Sequence, residues 1–188
     1  MNRNAGVGIG VVAVAVVAAI GISFVGSGSS DGSEEPAPQA ECAPLGDIPE
    51  GGEGKPATVD LPADKTTGEV VTTVLEPGDG PEVTDASYVT VDYLGIACST
   101  GEQFDSSWDR GEPITIAMPS VPPTDTAFSV IPGWNQGLVG QQQGALVQLD
   151  IPSELAYGAQ GNPPDIAAND PLTFVVRIIE VSDTAPAS

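Results

Sequence analysis

The chain has 188 residues, of which 26 are acidic and five basic, for a formal net charge of -21, and it contains no histidine. So few Lys and Arg argue against a nucleic-acid binder, which needs cations for phosphate, and against docking on anionic lipid. The missing imidazole removes Ser-His-Asp and Cys-His hydrolases and zincins, and two cysteines are too few for a zinc or iron–sulfur site, so neither metal nor cofactor is expected.

Residues 1–26 carry one basic side chain, Arg3, and then an uncharged run rich in Val, Ala, Ile and Gly. A stretch of about 20 apolar residues spans a bilayer as a helix. The charge distribution places the N-terminus in the cytoplasm and the rest outside. Two readings stay open: a signal peptide cleaved near Val25-Gly26-Ser27, or an uncleaved anchor that attaches the protein to the membrane. The expected location is the extracytoplasmic side of a bacterial cell envelope, either membrane-anchored or secreted. Residues 27–64, acidic and rich in Gly, Pro and Ser, read as an extended linker that holds a domain away from the membrane. Cys42 lies in this linker and Cys98 in the domain. An even cysteine count in an exported chain favours a disulfide between them, with two free thiols as the alternative.

The domain is expected over residues 65–184. Val70 to Leu75 is a short β-branched strand, followed by the turn Glu76-Pro77-Gly78-Asp79-Gly80. Tyr88 to Leu94 alternates polar and apolar residues, as a half-buried strand does. Pro113 to Ala117 is another short strand. The one helix expected runs from Gly133 to about Val139, with Trp134 and Leu138 on one side. Leu146 to Ile151 alternates again, with Val147, Leu149 and Ile151 on one face. Leu172 to Val181 is a long closing strand. One short helix against an antiparallel sheet gives an α+β domain.

Several motifs then fall in order: Val89-x-Val91-x-Tyr93-x-Gly95, Gly101-x-x-Phe104-Asp105-Ser106-Ser107, Arg110-Gly111-x-Pro113, Val130-Ile131-x-Gly133-Trp134-x-x-Gly137, Leu149-x-Ile151-Pro152, Leu155-Ala156-Tyr157-Gly158, and Asn169 with Leu172-x-Phe174. From Val70 to about Ser182 the chain resembles the FKBP-type peptidyl-prolyl cis-trans isomerases. The resemblance implies a twisted antiparallel β-sheet wrapped around one short helix. It also implies roles by position. Tyr93, Phe104, Trp134 and Phe174 would form the walls and floor of a proline pocket, with Trp134 beneath the ring. Val130 and Ile131 would line it, and the Ile131 N–H would hold a carbonyl. The Tyr157 hydroxyl would face the amide carbonyl. Asp105 would be the acid of the pocket and Arg110 its partner, while Ile166 would contribute an apolar side chain from an overhanging loop. Ser106 and Ser107 have no base partner and read as turn residues.

The chain departs from the family pattern in three ways. Ile114 stands where the family often has phenylalanine. The chain between Ile116 and Val130 is longer than usual. The basic residues expected after the helix are replaced by Gln141-Gln142-Gln143 and Leu146. The function the resemblance implies is isomerisation of X-Pro bonds in exported proteins during folding, by desolvation in an aromatic pocket. The rival is a non-catalytic proline-binding or chaperone module on the cell surface. Expected partners are proline-containing polypeptide clients and macrolide inhibitors, with no nucleic acid, and the protein is expected to be a monomer.

Overall fold

The structure, a computed structural model, describes residues 42–62 and 68–186, which fall within one compact unit. The expected leader and the first part of the linker lie outside the described residues. Among the described residues no helix is long and apolar enough to cross a membrane.

Seven strands form one sheet: β1 (Val71–Glu76), β2 (Tyr88–Ala97), β3 (Glu102–Ser106), β4 (Ile114–Ala117), β5 (Ala127–Phe128), β6 (Leu146–Ile151) and β7 (Leu172–Ser182). Among the described residues two α-helices accompany it, α1 (Ser107–Arg110) and α2 (Pro132–Leu138). The strand order is β1-β6-β7-β2-β4-β5, and β3 also pairs with β2. The pairings are antiparallel except β4–β5, where Thr115 faces Ala127 and Ile116 faces Phe128 in parallel. The sheet is therefore mixed at one edge and not wholly antiparallel. The long segment between β4 and β5 lets the chain return to the start of β4 and run beside it.

The second helix, α1, was not expected. It is one turn, opened by Ser106, whose hydroxyl accepts from the Asp109 N–H at 3.4 Å. Gly111 closes it in the left-handed region at φ 69°, a conformation that costs glycine little.

One edge of β2 pairs with β7 along its whole length, while the other edge is shared, with β4 facing Tyr88–Val91 and β3 facing Leu94–Ala97. At the changeover the Tyr93 N–H has no strand partner. The Ser107 hydroxyl accepts from it at 2.8 Å and donates to Asp92 at 2.7 Å. A buried N–H left unpaired would cost about 1–3 kcal/mol. Ser107 is thus a structural residue at the split that opens the sheet beside Tyr93.

The main core lies between the inner face of the sheet and α2. Val89, Val91 and Tyr93 of β2, Val147, Leu149 and Ile151 of β6, and Phe174, Val176 and Ile178 of β7 point into it, with Trp134 and Leu138 of α2. The helix comes close because it carries glycines where it meets β6. A Cβ on Gly133 would lie 2.3 Å from Cγ2 of Ile151, and one on Gly137 would lie 2.7 Å from Cδ2 of Leu149. Gly133→Ala therefore overpacks the interface, and equilibrium denaturant unfolding is expected to show a loss of about 1–3 kcal/mol. An unchanged midpoint and slope would show that α2 can lift off β6 at no cost.

The outer face of the sheet is also buried, and this corrects the expected extent of the linker. Residues 42–62 do not stand away from the domain but form a strap laid over that face. Leu45, Ile48, Val59 and Leu61 of the strap pack on Leu94, Ile96, Trp108, Leu146 and Val175. Cys42 is disulfide-bonded to Cys98, the Ala43 N–H donates to the Cys98 carbonyl at 2.7 Å, and the Gly46 N–H donates to Gly101 at 2.8 Å. Further along, Gln148 donates to the Asp60 carbonyl at 2.8 Å. The physical reason is the apolar surface that Leu94, Ile96 and Val175 would otherwise present to water.

Two carboxylates associated with this layer shift in opposite directions. Burial pushes the Asp150 carboxyl up, against hydrogen bonds from Thr173 and Gln148. Stability from Asp150 is therefore gained as pH falls through its raised value and is complete below the unfolded value of 3.8. Burial alone would also raise Asp109, but hydrogen bonds from Lys55 and Gln103, with the charges of Lys55 and Arg110, hold it below its ordinary value. Its contribution is full above the unfolded value of 3.8 and is lost as pH falls through the lower folded value.

Candidate functional site

Beside the split in β2 a cavity of about 390 Å³ opens, lined chiefly by Tyr93, Phe104, Asp105, Ile114, Trp134 and Phe174. Ser129, Val130, Ile131 and Tyr157 complete its wall. Its volume lies within the range of small-molecule sites.

Four aromatic rings meet edge to face. Trp134 stands at 83° to Tyr93 with centroids 5.3 Å apart, and at 82° to Phe174 at 5.1 Å. Phe104 meets Phe174 at 88° and 5.7 Å. In this arrangement the positive edge of one ring faces the negative face of the next, which fixes the orientation of each. Gly95 makes room for two of them. A Cβ there would lie 2.6 Å from Cζ of Phe104 and 2.8 Å from Cε1 of Phe174. Trp134 is 3 % exposed, so it is at once part of the core and the floor of the cavity.

One wall is polar. The Tyr93 hydroxyl donates to Asp105, and Arg110 donates to the other oxygen of Asp105 and, at 3.0 Å, to the Tyr93 hydroxyl. The Arg110 guanidinium also lies 5.4 Å from the Tyr93 ring centre. Burial, and then the hydrogen bond to Asp105, push the Tyr93 hydroxyl up to about 12, against the influence of Arg110. The phenol therefore stays protonated at physiological pH. The Tyr93–Asp105–Arg110 set is a closed network of hydrogen bonds that ties β2, β3 and α1 together at the cavity.

Two donors remain open at the rim. Tyr157 is 38 % exposed, and its hydroxyl has no hydrogen-bond partner among the described residues. The Ile131 N–H likewise has none among the described residues; Ile131 is the extended N-cap of α2 and stands outside the helical hydrogen-bond ladder. Asn169, which adopts φ 57°, holds the loop that carries Tyr157 through an N–H donated to Gly158 at 2.9 Å.

Ten of the eleven expected catalytic and substrate-binding residues thus lie in or against one cavity, with Arg110 reaching it through Asp105 and Tyr93. Ile166 does not line it. It is 1 % exposed and packs in the main core, because its backbone bridges to Asn162 and turns the side chain inward. Ser129 lines the cavity and was not expected; no feature of its sequence position marks it. Phe128, at the end of the long β4–β5 segment, is 53 % exposed and lies outside the cavity lining. Among the described residues no group of His, Cys, Asp and Glu has the arrangement of a metal site.

Comparison with known proteins bears on the same region. The family model for FKBP-type peptidyl-prolyl cis-trans isomerases matches residues 80–179. The chain is 37 % identical over 124 residues to the FK506-binding protein of Streptomyces anulatus, an alignment covering 65 % of this chain and 94 % of that relative. It is 37 % identical over 114 residues to the FKBP-type peptidyl-prolyl cis-trans isomerase FkpA of Escherichia coli K12, covering 61 % of this chain and 38 % of that one. The crystal structure of FkpA from Escherichia coli superposes with a TM-score of 0.53 at 35 % identity, covering 63 % of this chain and 51 % of that one. An α+β fold with a mixed sheet, a cavity walled by four aromatic rings and a family match over more than half of the sequence lead to one assignment: the chain belongs to the family of FKBP-type peptidyl-prolyl cis-trans isomerases.

Proposed function

We propose that the aromatic cavity is where isomerisation occurs, that it works by desolvation and differential binding, and that its clients are X-Pro segments of exported proteins. The observation that carries this reading is the convergence of Tyr93, Phe104, Trp134 and Phe174 on one cavity with open donors at its rim. Resonance holds the peptide planar behind a barrier of about 18–20 kcal/mol. At the twisted transition state that resonance is lost and the carbonyl is less polar. A water-poor aromatic cavity favours the twisted amide over the planar one, which is binding realised in the transition state. Trp134 supports the proline ring from below, while the Ile131 N–H and the Tyr157 hydroxyl fix carbonyls on either side of the bond. No step moves a proton.

Export is supported by the apolar run in residues 5–26 and by the Cys42–Cys98 disulfide, a bond that persists in oxidising compartments. The acidic surface favours neutral or cationic clients. The relative named for FK506 binding makes that macrolide a suitable probe of the cavity, in which it would compete with X-Pro peptides.

A mechanism without proton transfer predicts a flat pH profile. The chain has no histidine, and burial pushes the Tyr93 hydroxyl up to about 12. In a protease-free exchange assay, kcat/KM for an X-Pro peptide is expected to be constant from about pH 6 to about pH 9, across the range where an ordinary imidazole would titrate. A bell-shaped profile inside that window would rule out desolvation as the sole mechanism. Binding of FK506 with no acceleration of X-Pro exchange would instead favour a non-catalytic binding module.

A further inference from the structure

The strap contacts helix α1, whose last residue, Arg110, bonds to the polar wall of the cavity. Helix α1 places Arg110 on Asp105 and Tyr93, yet it is only four residues long, and so short a helix has little stability of its own. The strap supplies what the turn lacks. The Gly52 N–H donates to the Trp108 carbonyl at 3.3 Å. The buried Trp108 side chain packs in the same cluster as Leu45, Ile48, Val59 and Leu61. Lys55 reaches Asp109 at 2.5 Å and donates to the Pro49 carbonyl at 2.8 Å, which ties the strap to itself and to α1 at one point. Asp109 in turn accepts from Gln103 of β3 at 2.6 Å. Strap, α1 and β3 are thereby joined at the Asp109 carboxylate, one residue before Arg110.

Lys55 is unusual for a surface segment. Its side chain is 3 % exposed. A lysine is buried this far only when its charge is paired. The three basic residues among the described residues, Lys55, Arg110 and Arg177, each pair with a carboxylate, and two of these pairs belong to α1. At the far end the strap is fastened to the end of β2 by Cys42–Cys98.

We propose that the strap is a positioning element of the isomerase site. Lys55 fixes α1 through Asp109, so that Arg110 holds Asp105 and Tyr93 in place, and the Cys42–Cys98 disulfide keeps the strap seated. Lys55 is a positioning residue and touches no substrate. The proposal rests on the reading of the cavity as the binding site, so its test needs readouts that do not depend on catalysis.

The experiment compares the native chain with Lys55→Met and Lys55→Arg, and with native chain treated with a dithiol. The dithiol gives two electrons and two protons to the Cys42–Cys98 bond, yielding two thiols while closing to its own disulfide. Three quantities are read: kcat/KM for an X-Pro peptide, affinity for FK506, and the NMR signals of the Arg110 side chain. Thermal unfolding is followed in parallel to confirm that each form is folded at the assay temperature. Lys55→Met and reduction are each expected to weaken kcat/KM and FK506 affinity by about fivefold, a modest coupling between separate sites, and to shift the Arg110 signals. Lys55→Arg, which keeps the charge, is expected to restore all three to near the native values. A structural cover alone would lower the melting temperature and leave these readouts of folded protein unmoved, and that result would overturn the proposal. If the native chain binds FK506 without accelerating exchange, catalysis in the cavity fails, while the strap effect is still decided by FK506 affinity and the Arg110 signals.

Discussion

Trp134→Leu is expected to lower kcat/KM for an X-Pro peptide about tenfold, with a similar fall for Asp105→Val. The first removes the floor. Trp134 meets Tyr93 and Phe174 edge to face and is buried beneath the cavity. Leucine fills part of that space and leaves both rings without their partner. The second removes the anchor of the polar wall, so that the Tyr93 hydroxyl and Arg110 lose their shared acceptor. Each tenfold loss corresponds to about 1.4 kcal/mol of transition-state stabilisation. Independent sites would give about a hundredfold loss in the double variant, but Tyr93 touches both residues, so the double loss is expected to depart from the product. Exchange rates at protein concentrations where both variants remain folded check this. Rates within about twofold of native for both single variants would place the reaction elsewhere.

Reduction of Cys42–Cys98 carries the second large effect, on stability. The bond joins residues 56 apart in sequence. Closing a loop of that length removes enough freedom from the unfolded chain to contribute about 4 kcal/mol in the chain-entropy model. Ordinary domains have a total of about 5–15 kcal/mol, so the reduced protein is expected to be folded but marginal. Denaturant unfolding with and without a dithiol measures the difference. A change below about 1 kcal/mol would mean that the strap stays closed in the unfolded ensemble or is free in the native one.

Much of the sheet could be read directly from the chain. The alternation of Val89, Val91 and Tyr93, and of Val147, Leu149 and Ile151, marks strands facing a core, and both faces are where the pattern puts them. The helix carrying Trp134 and Leu138 was legible from their spacing. The strap was not. Leu45, Ile48, Val59 and Leu61 follow no period and stand among Pro, Gly and acidic residues, so local composition reads as linker. The signal lay in its partner surface, since Leu94, Ile96 and Val175 occupy outward positions on their strands, where an uncovered face would carry polar residues. Strand β5 is two residues long and has no pattern to detect.

The site divides in the same way. The rings and Asp105 were legible as an ordered set of motifs, because each needs a particular side chain at a particular turn or strand position. The position of Ile166 is not legible in the sequence, because a loop residue can face the cavity or the core, and the Asn162–Ile166 bridge beside it depends on backbone geometry. The contribution of Lys55 depends on contacts across 54 residues of sequence, which no local pattern encodes.

Exchange of an X-Pro peptide, followed without a coupling protease at micromolar protein, tests the central claim most directly. The native chain is expected to accelerate exchange in proportion to its concentration, and the folded Trp134→Leu/Asp105→Val double variant to lose most of that acceleration. Exchange no faster than in buffer, or a double variant as active as the native chain, would contradict isomerisation in this cavity.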